Sequence, residues 1–307
     1  LDEIQHGTDA DAFPNFLYNQ YDNLGNIEVV ETKQSGLTDT QTFEYDALSR
    51  LTSAVGSGAT GIPAYDYDYT YGPGGNLATR VNNGAAQTRS YTYGTAAQSS
   101  AHAVQSISGD GLNATFEYDD GIAGNGNMTK RIINGVTYTQ VFDAENRLTK
   151  VIKEAGANDP ITEFYYDTDG NRILTIYKTG TTETSRVYTP FPEFEETVPP
   201  SGATTQRTSY YLAGQLIAVR VRTGTTGNGA LYYAYRDHLG SVVAWANASG
   251  ALVSGSLAGY EPYGGYRTKP PTTVNPDISD RGFTGHRQNN TGSYDFGLIY
   301  MNARYYL

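Results

Sequence analysis

Cysteine is absent from the 307 residues, so the chain holds no disulfide and no thiolate metal site. That absence is compatible with either side of a membrane. Tryptophan occurs once, as Trp245, and methionine twice. No apolar run approaches the ~18 residues of a transmembrane helix. Cations are scarce: 21 Lys and Arg face 32 Asp and Glu, for a net charge of -11. That balance argues against a surface for nucleic acid or anionic membrane, which needs clustered Lys and Arg. Hydrophobic content is 38% and mean hydropathy is -0.49, low for an enzyme core. Helical periodicity is also missing. The nearest candidate is the Ala/Ser-rich stretch 95–106, and the flanking Gly94 and Gly109 make it a loop.

What is abundant is tyrosine, with 27 residues, and glycine, with 35. Tyrosine suits a pleated, half-buried surface, where the ring packs and the hydroxyl stays wet. The pattern is clearest at Tyr166-Asp167-Thr168-Asp169-Gly170-Asn171-Arg172. β-favouring residues stand on both sides of a short Asp/Gly/Asn cluster, which predicts a hairpin. Asp167 can accept a backbone N–H two residues on, and Gly170 can take positive φ without a Cβ clash.

The unit recurs at Tyr21-Asp22, Tyr45-Asp46, Tyr71-Gly72, Tyr93-Gly94, Tyr118-Asp119 (with Asp120 and Gly121), Phe142-Asp143 and Tyr166-Asp167. Weaker copies are Tyr188, Tyr211-Leu212-Ala213-Gly214 and Tyr235 to Gly240. Most steps are about 24 residues, as 45 − 21, 142 − 118 and 166 − 142 show. Polar connections at 56–61, 94–101, 155–159, 199–205 and 224–229 interrupt the pattern without ending it, and read as loops. A lone hairpin is marginal in water, so the copies must pair side by side. The expected fold is all-β: tandem hairpins in one continuous antiparallel sheet, curled by strand twist, with essentially no helix. Tyr and Thr fall on both faces, which suits the wall of a hollow body with water on each side better than a sandwich.

These residues resemble the YD repeat of the Rhs family. The later segments are similar to the Rhs-associated core: Asp237-His238-Leu239-Gly240-Ser241, Asn247 to Gly250, Tyr260 to Gly264, Arg281 to His286, and Gly297 to Tyr306. The resemblance implies two regions, an array over 1–231 and a core over 232–307. It also implies a spiralling β-shell that holds a variable C-terminal polypeptide, often a toxin, as in Rhs effectors and the C components of Tc toxins; teneurins are animal relatives. The family core commonly continues into an Asp-Pro self-cleaving segment. Leu307 comes before any such segment, so no cleaving carboxylate carries over to this chain. The chain starts at Leu1 without Met and stops within an expected strand, and reads as a piece of a longer polypeptide.

Candidate chemistry is thin. Asp167-x-Asp169-Gly170 hints at a calcium loop, but an EF-hand needs Glu at its twelfth position, where Lys178 stands. Turn-forming aspartate is the plainer reading. Of the four histidines, His6, His102, His238 and His286, none lies in a nucleophile motif. Asp237-His238 could be half of an acid–base pair, and His286 reads as a turn residue packing the core. The tyrosines could stack on sugars, with Trp245 alone unable to form a platform. Alternatively they stabilise the sheet as cross-strand pairs, which fits their fixed place in each hairpin.

The expectation is therefore a non-catalytic shell segment with no catalytic, metal or cofactor residue. Its partners would be a polypeptide cargo and further shell repeats, with self-association through open sheet edges. The protein would be secreted or at the cell surface. The alternatives are a carbohydrate-binding or adhesive surface on the tyrosine-rich face, and part of the family's autoprotease.

Overall fold

The computed structural model describes residues 1–8, 12–94, 101–119, 124–270, 278–291, 293–301 and 304–306. Asp120 and Gly121, residues 95–100 of the expected loop, and residues 302–303 of the core motif lie outside them. The chain forms two compact units: Leu1–Gly135 with Gly259–Thr268, and Val136–Ala258 with Lys269–Leu307.

The first unit holds β1 (Glu3–Ile4), β2 (Asn15–Tyr21), β3 (Ile27–Gln34), β4 (Leu37–Tyr45), β5 (Leu51–Gly56), β6 (Tyr65–Tyr71), β7 (Leu77–Asn82), β8 (Gln87–Tyr93), β9 (Val104–Ser108), β10 (Ala114–Tyr118) and β11 (Met128–Ile133). Each pairs antiparallel with the next in chain order. The second unit repeats the plan with β12 (Val136–Phe142), β13 (Leu148–Lys153), β14 (Pro160–Tyr166), β15 (Arg172–Thr179), β16 (Thr182–Phe191), β17 (Phe194–Val198), β18 (Thr205–Leu212), β19 (Gln215–Thr223), β20 (Ala230–Arg236) and β21 (Val242–Asn247). These too pair successively. Neither meander closes on itself among the described residues. The all-β expectation holds; besides the strands there is a 3-10 turn at Phe283–Gly285.

Two kinds of turn alternate along each meander. One end carries the tyrosine–aspartate corners. The other end carries longer connections or tight turns such as Ser35-Gly36 and Asn134-Gly135, with both residues at positive φ (52° and 73°; 47° and 82°). Paired positive φ is the primed hairpin geometry that matches strand twist. At the corners the register slips by one residue, for example between Glu44 and Tyr45 and between Tyr165 and Tyr166. A bulge there absorbs the extra residue and sharpens the twist.

Three of the weaker copies differ from expectation. Tyr188 lies inside β16, which runs on to Phe191. Ala213-Gly214 forms a two-residue turn with φ 50° and 77°, too short for a corner. At Asp237 the residue in the tyrosine place is Arg236, where the register shifts, and Tyr235 stands one residue early.

Later segments lie on these sheets. In the first unit, β22 (Gly259–Tyr260) and β23 (Tyr266–Thr268) form a hairpin. In the second, β24 (Arg287–Thr291), β25 (Tyr294–Met301) and β26 (Arg304–Tyr306) form a small three-stranded sheet. The first unit buries Ala54, Tyr65, Tyr67 and Tyr69 together, and the second buries Leu216, Val219, Val242, Trp245 and Ile278. Tyr65, Tyr67 and Tyr69 are only 5–8% exposed, so that face of β6 is not wet as expected. The covering segment lies nearly two hundred residues along the chain, and no local pattern reports it.

Candidate functional site

At Asp22, Asp46, Asp143 and Asp167 a single carboxylate builds the corner. The Asp46 N–H donates to the Arg50 carbonyl at 2.9 Å, and the Ser49 N–H returns to the Asp46 carbonyl at 2.9 Å. Asp46 Oδ1 accepts the N–H groups of Leu48 (2.9 Å) and Arg50 (3.0 Å), and Oδ2 accepts Arg50 Nε at 2.7 Å. Asp143 repeats this with Glu145 and Arg147. Asp22 and Asp167 repeat it with Asn26 and Asn171 in place of arginine. The fourth residue takes positive φ: Gly25 86°, Ser49 56°, Asn146 62°, Gly170 83°. Hydrogen bonds to the ionised form hold these carboxyls below the usual range. For Asp46 the chief cause is the Arg50 side chain, and for Asp22 and Asp167 the Asn26 and Asn171 side chains. At Asp143 burial pulls upward, and the Arg147 bonds outweigh it.

Five of the tyrosines that precede corners are staples. The hydroxyl of Tyr45 donates to the Ile27 carbonyl at 2.9 Å, Tyr71 to Leu51 at 2.7 Å, Tyr93 to Leu77 at 2.8 Å, Tyr118 to Val104 at 2.9 Å and Tyr166 to Leu148 at 2.7 Å. Each acceptor opens the return strand of the preceding hairpin. Neighbouring corners also touch. The Arg50 guanidinium lies 4.5 Å from the Tyr71 ring centre, and that of Arg147 lies 5.2 Å from Tyr166. Asn26 Nδ2 donates to Ser49 Oγ at 3.1 Å, and Arg147 Nη1 to the Asp167 carbonyl at 3.3 Å. The tyrosines therefore stabilise the sheet, though through hydroxyl-to-carbonyl bonds between hairpins more than through paired rings.

The same corner backbone recurs where the sequence reading did not see one. Asn247, Glu261 and Gly282 each donate to the carbonyl four residues on, and Gly250, Gly264 and Gly285 close the turns. The signal was available: a glycine three residues after the turn-opening residue. At Glu261 the longer side chain leaves its own turn. Its Oε1 accepts the Tyr67 hydroxyl at 2.9 Å and Oε2 lies 3.6 Å from Arg80 Nη1. Burial, with Glu261 beside it, pushes the Tyr67 phenol up to about 12.

In the second unit the small sheet seats through aromatic and charged groups. Tyr138 meets Phe296 (6.3 Å between ring centres), Phe164 meets Tyr305 (5.6 Å) and Tyr177 meets Tyr294 (5.0 Å). The Arg172 guanidinium lies 5.1 Å from Phe164 and 4.4 Å from Tyr300. Arg287 joins Asp280 at 3.0 Å and also bonds Glu195, which takes Arg207 Nη1 at 3.1 Å. Burial would raise the Asp280 carboxyl, but Arg287, Arg281 and Arg172 hold it low. The expected open edge beside β21 is covered: Val253 N–H bonds the Trp245 carbonyl and Ala258 N–H the Val243 carbonyl, both at 2.8 Å.

The residues weighed for chemistry are mostly turn builders. The Asp167 oxygens accept Asp169 N–H, Asn171 N–H and Asn171 Nδ2, so they face their own turn and not a shared centre. Among the described residues no group of three His, Asp or Glu is placed to hold a metal. Asp237 Oδ1 accepts the N–H groups of Leu239 and Ser241 at 2.9 and 2.8 Å, closing a corner that contains His238. Burial pushes the Asp237 carboxyl up and the His238 imidazole down. His286 closes the Gly282 corner, its Nδ1 2.8 Å from Thr284 Oγ1. His6 Nδ1 meets the Pro14 carbonyl and His102 Nδ1 meets Asn76 Oδ1, each at 2.7 Å. Trp245 is fully buried, away from any ligand surface. No described helix is long and apolar enough to cross a membrane.

No protein-family profile matches this chain, and no curated protein matches it. Solved structures do. A crystal structure of TcdB2-TccC3-Cdc42 matches 96% of this chain and 19% of its own at 16% identity, with a TM-score of 0.45. A Photorhabdus luminescens Tc holotoxin pore matches 96% of this chain and 18% of its own at 16% identity, TM-score 0.46. A crystal structure of TcdB2-TccC3 matches 95% of this chain and 18% of its own at 17% identity, TM-score 0.45. The chain thus spans about a fifth of the length of the solved chains it matches.

Proposed function

We propose that this chain is a structural segment of an Rhs-type shell, one that contains or presents a polypeptide cargo and performs no chemistry itself. The observation that carries the reading is the run of stapled corners: each tyrosine hydroxyl bonds the preceding hairpin, so the copies propagate a wall strand by strand. The motif resemblance supplies the kind of wall. On this reading 1–231 is the repeat array and 232–307 the core, whose segments line the wall where they seat on tyrosine-bearing strands. The partners are a cargo polypeptide, such as a toxin domain, and further repeats of the same protein. The setting is a secreted or surface-delivered bacterial complex.

The test is protection. The chain is expressed with its native flanking sequence, and the downstream polypeptide is challenged with protease. Cargo that resists digestion until the wall is unfolded supports containment. Cargo digested at the rate of the free polypeptide rejects it.

A second reading rests on Tyr210 and Tyr233, which pair with Ala218 from either side and are 39% and 41% exposed. Exposed rings flanking a small residue could stack on a sugar. A glycan array decides this reading, and no binding at millimolar sugar rejects it.

A further inference from the structure

Arg267, on β23, reaches into the first unit's sheet. Its Nη1 and Nη2 bond the Asp39 carboxylate at 2.5 and 2.9 Å, and its Nε bonds the Pro63 carbonyl at 2.6 Å. The guanidinium carbon lies 4.9 Å from the Tyr65 ring centre. The two side chains are 4% and 2% exposed. The receiving groups are held by others on the sheet. Asp39 Oδ1 also accepts Gly58 N–H at 2.8 Å and Ser57 Oγ at 3.3 Å, and the Tyr65 hydroxyl donates to Gln41 Oε1 at 2.9 Å. Space is reserved as well: a Cβ on Gly56 would stand 2.8 Å from Arg267 Nη2 and 2.5 Å from the Tyr65 ring. A planar fork of donors fits this set, and a lysine ammonium cannot reach both Asp39 oxygens and Pro63 at once.

We propose that Asp39, Gly56, Pro63 and Tyr65 form a binding site for one guanidinium group, and that the hairpin of β22 and β23 is a latch. It docks on the finished sheet by inserting Arg267 and lifts without unfolding the strands beneath. Two features support separability. The hairpin closes its own corner at Glu261, Gly264 and Gly265, independently of the sheet. Its further grips include side-chain contacts: Glu261 to the Tyr67 hydroxyl and to Arg80, and Tyr263 against Tyr69 and Tyr71. No strand of the sheet below pairs with β22 or β23 among the described residues. The inference stands whether or not the chain is part of a shell.

The test uses hydrogen exchange on the whole chain. In the unaltered protein, amides of 259–268 should exchange at least tenfold faster than those of β5 and β6. Arg267→Ala should raise exchange in 259–268 a further tenfold or more while β5 and β6 keep their protection. Millimolar ethylguanidinium should restore the hairpin's protection, and ethylammonium at equal ionic strength should not. Arg267→Lys should behave like Arg267→Ala without the rescue. Loss of protection in the hairpin and in β5 and β6 together, in the unaltered chain or the variant, overturns the latch. Equal rescue by ethylammonium, or no rescue by either cation, overturns the guanidinium site. Should Arg267→Ala fail to fold, exchange in the unaltered chain still decides the latch, and Arg267→Lys decides the site: protection of 259–268 kept at the unaltered level by lysine overturns the guanidinium preference.

Discussion

The Tyr45 hydroxyl donates to the carbonyl of Ile27 at 2.9 Å, tying the last residue of one hairpin's first strand to the first residue of the preceding hairpin's return strand. The bond joins residues in neighbouring repeats, so it scores the register of the whole array and not the stability of one turn. Tyr45→Phe and Tyr118→Phe should each cost about 1 kcal/mol, the net worth of one hydrogen bond. Tyr165→Phe removes a hydroxyl from a ring that is 45% exposed and should cost far less. Urea midpoints of the three variants decide it. Equal losses at Tyr45 and Tyr165 would remove the staple.

Acid should weaken the corners in a defined window. Asp22, Asp46, Asp143 and Asp167 have carboxyls held below their ordinary value. Their contribution to stability is complete above the unfolded value of about 3.9 and is lost as pH falls through the lower folded values. The urea midpoint should therefore decline below about pH 4. Asp46→Asn keeps an acceptor for Leu48 and Arg50 and should make that decline shallower. An unchanged acid limb in the variant would mean this carboxylate carries none of it.

Glycines of similar positive φ, 83° at Gly170 and 94° at Gly109, should differ in cost. A Cβ on Gly170 meets nothing within 4 Å, so Gly170→Ala bears only the left-handed backbone penalty of roughly 1–2 kcal/mol. On Gly109 a Cβ would stand 2.1 Å from the Thr88 carbonyl oxygen, so Gly109→Ala should cost clearly more. Conversely, Ser49→Gly and Asn146→Gly relieve positive φ and should raise the thermal midpoint. A comparative melt of the four variants is the measurement.

Trp245 is the sole tryptophan and is fully buried in the second unit. Its emission should be blue-shifted and inaccessible to iodide in the native chain, and should report unfolding of that unit. Iodide quenching near that of free tryptophan would contradict the packing around Leu216, Val219 and Val242.

The corners were the most readable part of the chain because their causes are local. Asp46, Ser49 and Arg50 lie within five residues and complete one another's hydrogen bonds. Where the pattern thinned, reading by tyrosine failed. Tyr188 and Tyr211 looked like corner residues but sit in or beside longer strands, while Glu261 and Gly282 open corners with no aspartate at all. The backbone asks for a residue at positive φ in the fourth place, and glycine was the better guide.

The covering of the sheets had no such signature. Asp39 belongs to none of the repeated motifs, and its partner Arg267 stands 228 positions away. Tyr65, Tyr67 and Tyr69 share one face of β6, and Glu261 and Tyr263, which lie against Tyr67 and Tyr69, come from nearly two hundred residues further on. The amino-acid sequence alone determined the all-β class, the spacing of the hairpins and the chemistry of each turn, since these follow from φ, hydrogen bonds and side-chain reach within a few residues. Only the tertiary structure decided which faces are covered, where the charged seats form and which edge is closed. Those outcomes depend on contacts between distant segments, and no short window of sequence contains both partners.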